Sequence, residues 1–311
     1  MKVIFNYDRN YKTDLPSAIA LGTFDGIHLG HRKLVQKLQA KKEQFGYQSI
    51  VYTFFSHPLK HLKPEMEPPQ IMLLGEKIKE LTKLGIDVLV LNSFDKYFSH
   101  QTPDTFLDQL FNNFHIKSLV VGFDYRFGHK GAGNHIHLEQ AAENKNWDLI
   151  CVPSVKRGGE VVSSSLIRKL IMDGRVAVAA ELLTKPYAIN GTVIHGHGRG
   201  KSLGFPTANL RYSSGKVIPK NGVYLTNCKY KNNEYWGLTS VGTNPTFSKG
   251  DVHIETYLLD FYENLYEEKI QIQFCDWLRG EIKFNDPRDL ILQMEQDWIK
   301  AKKLIYKKTK S

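Results

Sequence analysis

Residues 20–32 read "ALGTFDGIHLGHR", from Ala20 to Arg32. Small apolar residues give way to three glycines, Gly22, Gly26 and Gly30, and to His28 and His31, three apart. The preceding "SAIALGTF" reads as a strand. The following "GHRKLVQKLQAKKEQFG" reads as an amphipathic helix closed by Gly46. A strand passing into a helix through a glycine-rich turn is a building unit of an α/β sheet. Open parallel sheets bind ligands beyond the carboxyl ends of their strands. A helix N-terminus there offers free N–H groups and partial positive charge, which suits phosphate. His28 and His31 would then donate to a triphosphate. Zinc would need a third ligand. On spacing alone, two histidines satisfied by backbone in a turn fit equally well.

The alternation continues outward. "QSIVYTFF", "IDVLVLNSF", "KSLVVGFD" and "WDLICVPSV" read as strands. Between them, "GEKIKELTKLG", "PDTFLDQLFNNFH" (Pro103 near its start) and "HLEQAAENKN" read as helices. "SSSLIRKLIMDGRVAVAAELL" follows as one helical stretch with serines at its start. This order predicts a parallel sheet covered on both faces. After Pro186 short strand-like runs take over: "YAINGTVI", "GVYLTNCKY", "EYWGLTSVG", "HIETYLLDF" and "EKIQIQFCDWL". They predict an antiparallel barrel or sandwich. "DPRDLILQMEQDWIKAKKLIYKK" closes the chain as a helix with a basic last turn. The expected organisation is an α/β domain over 1–185 and a β-barrel domain with a C-terminal helix over 186–311. A chain of 311 residues suits about two domains.

The net charge is +10, and it is densest over 186–250, where Glu234 is the only acidic residue. Such a balance fits nucleic acid or a small polyphosphate. No run of about 18 apolar residues suggests a membrane span. "MKVIFNYDRN" is too short and too soon charged for a signal peptide. Cys151, Cys228 and Cys275 are far apart and odd in number, which points to a reduced, cytoplasmic protein.

"GTFDGIHLGHRKLV" and "SSSLIR" resemble the two phosphate-binding signatures of the nucleotidyltransferase superfamily. More widely, residues 16–305 resemble the bacterial bifunctional riboflavin kinase/FMN adenylyltransferase (FAD synthetase) family. The resemblance rests on "TFFSHP", "VVGFDYRFGHKGAGN", "VSSSLIR", "GRGKSLGFPTANL", "NGVY", "VGTNPTF" and "ETYLLDF", in that family's order. It implies a Rossmann-like nucleotidyltransferase domain that transfers AMP from ATP to FMN, giving FAD and pyrophosphate. It implies a second, riboflavin-kinase barrel that makes FMN from riboflavin and ATP with Mg²⁺.

For the first site the resemblance implies catalytic roles for His28, His31 and Arg168. Gly22, Phe24, Asp25, Asp124, Ser164 and Ser165 would lie at the ATP phosphates or ribose, and Phe54, His57 and Pro58 at the flavin. The residues alone also allow Asp25 and Asp124 to be turn caps, and Ser164 a simple helix cap. For the second site Glu255 is the implied base for the riboflavin 5′-hydroxyl. Thr207 and Asn209 are the implied Mg²⁺ ligands, hard oxygens on one face of a strand. Gly198, Gly200, Lys201 and Gly204 would wrap phosphates, and Arg279 would sit near flavin or form a surface salt bridge. The chain departs from the family with Lys201 where Arg is common, Asn244 where a basic residue is common, and "LLTKPY" without the usual glycine. Two other readings remain: the same architecture with one half inactive, and a flavin- or RNA-binding regulator. No RNP, KH or helix-turn-helix pattern supports nucleic-acid binding. The oligomeric state stays open.

Overall fold

The computed structural model describes residues 1–6, 9–195, 205–243, 252–284 and 286–309. The chain divides into two compact units, Met1–Leu166 and Ile167–Ser311. Residues 167–185, grouped with the first half in the sequence reading, thus fall in the second unit.

In the first unit, six strands form one sheet: β1 (Lys2–Asn6), β2 (Thr13–Leu21), β3 (Gln48–Phe54), β4 (Val88–Asn92), β5 (Phe114–Gly122) and β6 (Asp148–Val152). Their order is β1-β4-β3-β2-β5-β6 and every pair is parallel. The intervening helices are α1 (Leu29–Phe45), α2 (Leu59–Leu62), α3 (Leu74–Lys83), α4 (Lys96–Ser99), α5 (Pro103–Asn113) and α6 (His135–Lys145). A two-stranded ribbon, β7 (Lys156–Arg157) and β8 (Glu160–Val161), precedes α7 (Ser164–Met172). The strand order reverses at β2, with β3 on one side and β5 on the other. Loops leaving β2 and β5 therefore diverge and open a crevice.

Side-chain alternation along β2 feeds two cores. Ala18 and Ala20 join Leu34, Val35 and Leu38 of α1 in one buried cluster. Ile19 and Leu21 join Phe106, Leu107 and Leu110 of α5 in the other. Each fully buried Ile or Leu contributes about 2 kcal/mol. The N-terminal edge strand β1 was not legible in the sequence. It pairs only with β4, and its Phe5 is exposed, so the apolar pattern is weak. The helix expected over 103–115 stops at Asn113, because Phe114 turns extended and buries itself at the start of β5.

The single helix expected from the serine run to Leu183 is two, α7 and α8 (Val176–Leu183). Gly174 adopts φ 79° between them. Its N–H bonds Ile171 O and that of Arg175 bonds Leu170 O, a helix stop that a left-handed glycine permits.

The second unit holds β9 (Tyr187–Ile194), β10 (Thr207–Tyr212), β11 (Gly222–Tyr230), β12 (Asn233–Thr243), β13 (Val252–Leu258) and β14 (Lys269–Arg279). They close into a six-stranded antiparallel barrel, β10-β13-β12-β11-β14-β9, so the barrel and not the sandwich is formed. The C-terminal helix α9 (Pro287–Thr309) packs Ala301 on Leu225, Leu238, Cys275 and Leu278. Inside the wall, the buried hydroxyls of Thr226, Thr239 and Thr256 are hydrogen-bonded in series at 2.7 and 2.8 Å.

Candidate active sites

β2 ends at Leu21, and the turn beyond it is tightly wound. Phe24, Gly26 and Ile27 have φ of 50°, 88° and 46°. The left-handed region is unfavourable for side chains such as Phe and Ile. Both are fully buried, and that packing holds the turn. Asp25 staples it further. Its carboxylate oxygens accept the N–H groups of Ile71 (3.2 Å) and Met72 (3.0 Å), and its carbonyl accepts Ser164 Oγ (2.9 Å).

His28 is the N-cap of α1, and its Nδ1 accepts the N–H of Gly30 at 3.1 Å. In the neutral ring the proton then sits on Nε2, which becomes a donor. A Cβ on Gly30 would lie 3.1 Å from the His28 ring, so any side chain there would press on the ring that makes the cap. His31 stacks on His28 with ring centroids 3.8 Å apart and lies 5.0 Å from the Phe24 ring. Its Nδ1 is buried and has no hydrogen-bond partner among the described residues. Burial, then the neighbouring His28 and Lys77, hold His31 well below the ordinary imidazole value.

His28, His31, Gly22, Asp124, Phe54 and Ser164 meet around one cavity of about 490 Å³ at the carboxyl edge of the sheet. Pro58 also reaches it. His57 instead borders a small neighbouring cavity with Asp25 and Lys77, and its Nδ1 accepts the Leu59 N–H. Phe24 lies beneath the site, fully buried. In the serine run the hydroxyl of Ser163 accepts the Leu166 N–H, so Ser163 takes the capping position. Ser165 is exposed. Arg168 is buried one turn along α7, in the second compact unit.

Two features of this site escaped the sequence reading. The first is an aromatic wall, in which Phe54 meets Phe94 and Phe98 edge-on, each at 5.1 Å, and Tyr125 stacks on Phe127. Its signal was the clustering of aromatics at strand ends. The second is Lys77, buried, with Nζ donating to Thr23 O at 2.8 Å. Its signal was a lysine on the apolar stripe Leu74, Ile78, Leu81 of α3. Burial brings its amine down to about 8 against the opposing pull of Asp25.

In the barrel, Asn209 and Glu255 are cross-strand partners on β10 and β13, and Ser240 of β12 faces Glu255 from the other side. Thr207 Oγ1 donates to Glu255 Oε2 at 3.4 Å. Thr207, Glu255 and Arg279 line a cavity of about 310 Å³. Arg279 is not a surface salt bridge. Its Nε reaches both oxygens of Asp297, which is buried on α9, at 3.0 Å each. Gln293 adds a bond to the same carboxylate. Gly198, Gly200, Lys201, Gly204 and Asn244 lie outside the described residues. Among the described residues no group of three or more His, Cys, Asp or Glu side chains forms a metal site, and no helix is long and apolar enough to cross a membrane.

The chain thus joins an α/β unit with a phosphate-type turn at its switch point to a barrel that carries a carboxylate, Glu255, on a cavity shared with the C-terminal helix. Residues 11–166 match the FAD synthetase family model and residues 183–305 the riboflavin kinase model. A bifunctional riboflavin kinase/FMN adenylyltransferase from Listeria monocytogenes is 36% identical over 92% of this chain and 91% of its own length. Its counterpart from Haemophilus influenzae is 35% identical over 92% and 93%. The crystal structure of a macrolide-efflux protein from Streptococcus pneumoniae superposes with TM-score 0.90 at 29% identity, over 97% of this chain and 99% of that one. The chain belongs to the bifunctional riboflavin kinase/FMN adenylyltransferase family.

Proposed function

We propose that this chain makes FAD from riboflavin in two steps, one in each unit. The observation that carries this is the presence of both sites in one chain: the stacked His28–His31 pair at the sheet edge and the Thr207–Glu255 pair in the barrel.

In the barrel, Glu255 takes the proton of the riboflavin 5′-hydroxyl as that oxygen bonds the γ-phosphorus of ATP, and ADP leaves. Glu255 is within reach of Thr207 and across from Asn209, so carboxylate, hydroxyl and amide oxygens converge. That donor set fits Mg²⁺, which Thr207 and Asn209 would hold and which would neutralise phosphate charge. Arg279, fixed by Asp297, shapes the flavin end of the cavity.

In the α/β unit, a phosphate oxygen of FMN bonds the α-phosphorus of ATP, and the bond to pyrophosphate breaks. The nucleophile is already an anion, so the work is orientation and charge stabilisation. His28 Nε2–H and His31 donate to the phosphates at the start of α1. Asp124 sits at the ribose side. Asp25 and Phe24 hold the turn that presents these donors. The aromatic wall takes a flat ring system, with Phe54 and Pro58 on the flavin side. Phosphate-bearing substrates account for the basic charge, and nucleic acid is not required. A cytoplasmic setting suits the three free thiols.

The test is a time course on purified protein with riboflavin, ATP and Mg²⁺, and a second one started from FMN. FMN appearing before FAD in the first, and FAD in the second, is the expected result. FMN accumulating without FAD would remove the adenylyltransferase reading.

A further inference from the structure

Lys77 is a buried charge at the first site that the two-step reading leaves unused. It reaches the catalytic turn from α3 and donates to Thr23 O at 2.8 Å, in the middle of the segment that carries Gly22, Asp25 and His28. It lines the small cavity behind the turn together with Thr23, Asp25 and His57. The charged and titratable groups around it divide simply. Asp25 faces Lys77 from the turn, and its carboxylate is held by two backbone N–H groups. His31 faces Lys77 from α1 and stacks on His28. Glu80, one turn along α3, is paired with Arg32.

We propose that Lys77 is a positioning residue for adenylyl transfer: its ammonium grips the Thr23 carbonyl and sets a positive charge beneath the phosphate turn, so that His28 and His31 work as neutral donors. A lysine buried for packing alone is costly, because burial penalises its charged form. Here the cost has a use. An ammonium fixed under the turn attracts polyphosphate without needing imidazolium, whose charge this site opposes. The assignment rests on the reading of His28 and His31 as phosphate donors.

The pH profile separates the two places where the charge can reside. The profile of kcat/KM reports groups of the free enzyme. If Lys77 carries the charge, kcat/KM for FAD formation from FMN and ATP stays level between about pH 7 and 7.5 and falls above about 8, where this amine loses its proton. If an imidazolium carried it, the fall would already be complete near neutrality.

The experiment measures that profile for the wild type, K77Q and K77R, with riboflavin phosphorylation by the same preparations as the control for folding. Glutamine keeps a donor for Thr23 O and removes the charge. Arginine keeps both and does not titrate in this range. The expected results are about a tenfold loss with no alkaline limb in K77Q, and activity without the alkaline limb in K77R, with kinase activity kept in both. A wild-type profile that is level to pH 9.5 overturns the proposal without any variant. So does a K77Q profile that coincides with wild type. H28A/H31A, run alongside, separates the two levels of the argument. Loss of FAD formation there with a wild-type K77Q sinks only the role of Lys77. FAD formation that survives in H28A/H31A sinks the phosphate site itself.

Discussion

Gly30→Ala tests whether the His28 cap sets the geometry of adenylyl transfer. The added Cβ would stand 3.1 Å from His28 Cε1 and 3.2 Å from Nδ1, so the ring must give by a few tenths of an ångström. That ring also stacks on His31 at 3.8 Å and accepts the residue-30 N–H, so displacement disturbs both histidines. A misplacement of 1 Å at a reacting centre costs about 10²-fold, so a few tenths cost roughly four- to tenfold. Fold stability should hardly change. Weakening the cap costs about 1 kcal/mol, and Ala in place of a helical Gly returns about the same. The assay is kcat/KM for FAD from FMN and ATP, with kinase activity and Tm on the same sample. The expected result is a four- to tenfold loss of FAD formation with kinase activity and Tm within error. Wild-type FAD formation in G30A would refute the claim that a side chain at this position disturbs the His28 cap.

Glu255→Gln should reduce riboflavin phosphorylation at least 10²-fold while supplied FMN is still adenylylated. Near-normal FMN production would remove Glu255 as the base. Asp297→Asn leaves Arg279 without its buried partner and should destabilise the barrel by about 3 kcal/mol, read by denaturant unfolding, with a raised KM for riboflavin. The folded His31 has its pKa below the unfolded value of about 6.5, so the unfolded chain binds more protons between the two. Stability should therefore be level above about pH 6.5 and fall as pH drops below it. His31→Gln should flatten that acid slope, and an unchanged slope would assign it elsewhere.

Much of this architecture could be read from the chain because its signals are local. Strands β2 to β6 are apolar runs bounded by glycine or by polar turns, and α1 ends where Gly46 takes φ 70°. What was hidden depended on tertiary context. β1 makes sense only beside β4, and the break at Gly174 depends on a backbone angle that composition does not specify. The histidines of the first site could be found because they sit in one turn. The partnership of Asp25 with residues 71 and 72 spans 46 and 47 positions and leaves no pattern. Likewise Arg279 read as a residue near flavin or a surface pair, while its partner Asp297 waits on a helix 18 positions later. Lys77 was visible as a lysine on an apolar stripe, but only the fold shows which carbonyl it meets.

The three threonines in the barrel wall bear on how this sequence can change over time. Thr226 and Thr239 share a 2.7 Å contact, and Thr239 donates to Thr256 at 2.8 Å, all out of reach of water. Exchanging Thr239, which touches both others, for valine takes a partner from each at about 1–3 kcal/mol, although Thr226 keeps its bond to Gly237 O at 3.2 Å. Exchanging all three for similarly shaped valines removes the demand altogether and is nearly free by the same reasoning. A step at Thr239 is thus uphill and the full exchange recovers the loss. Descendants of this chain should keep the set whole or replace it whole, a historical constraint that acts with no ligand involved.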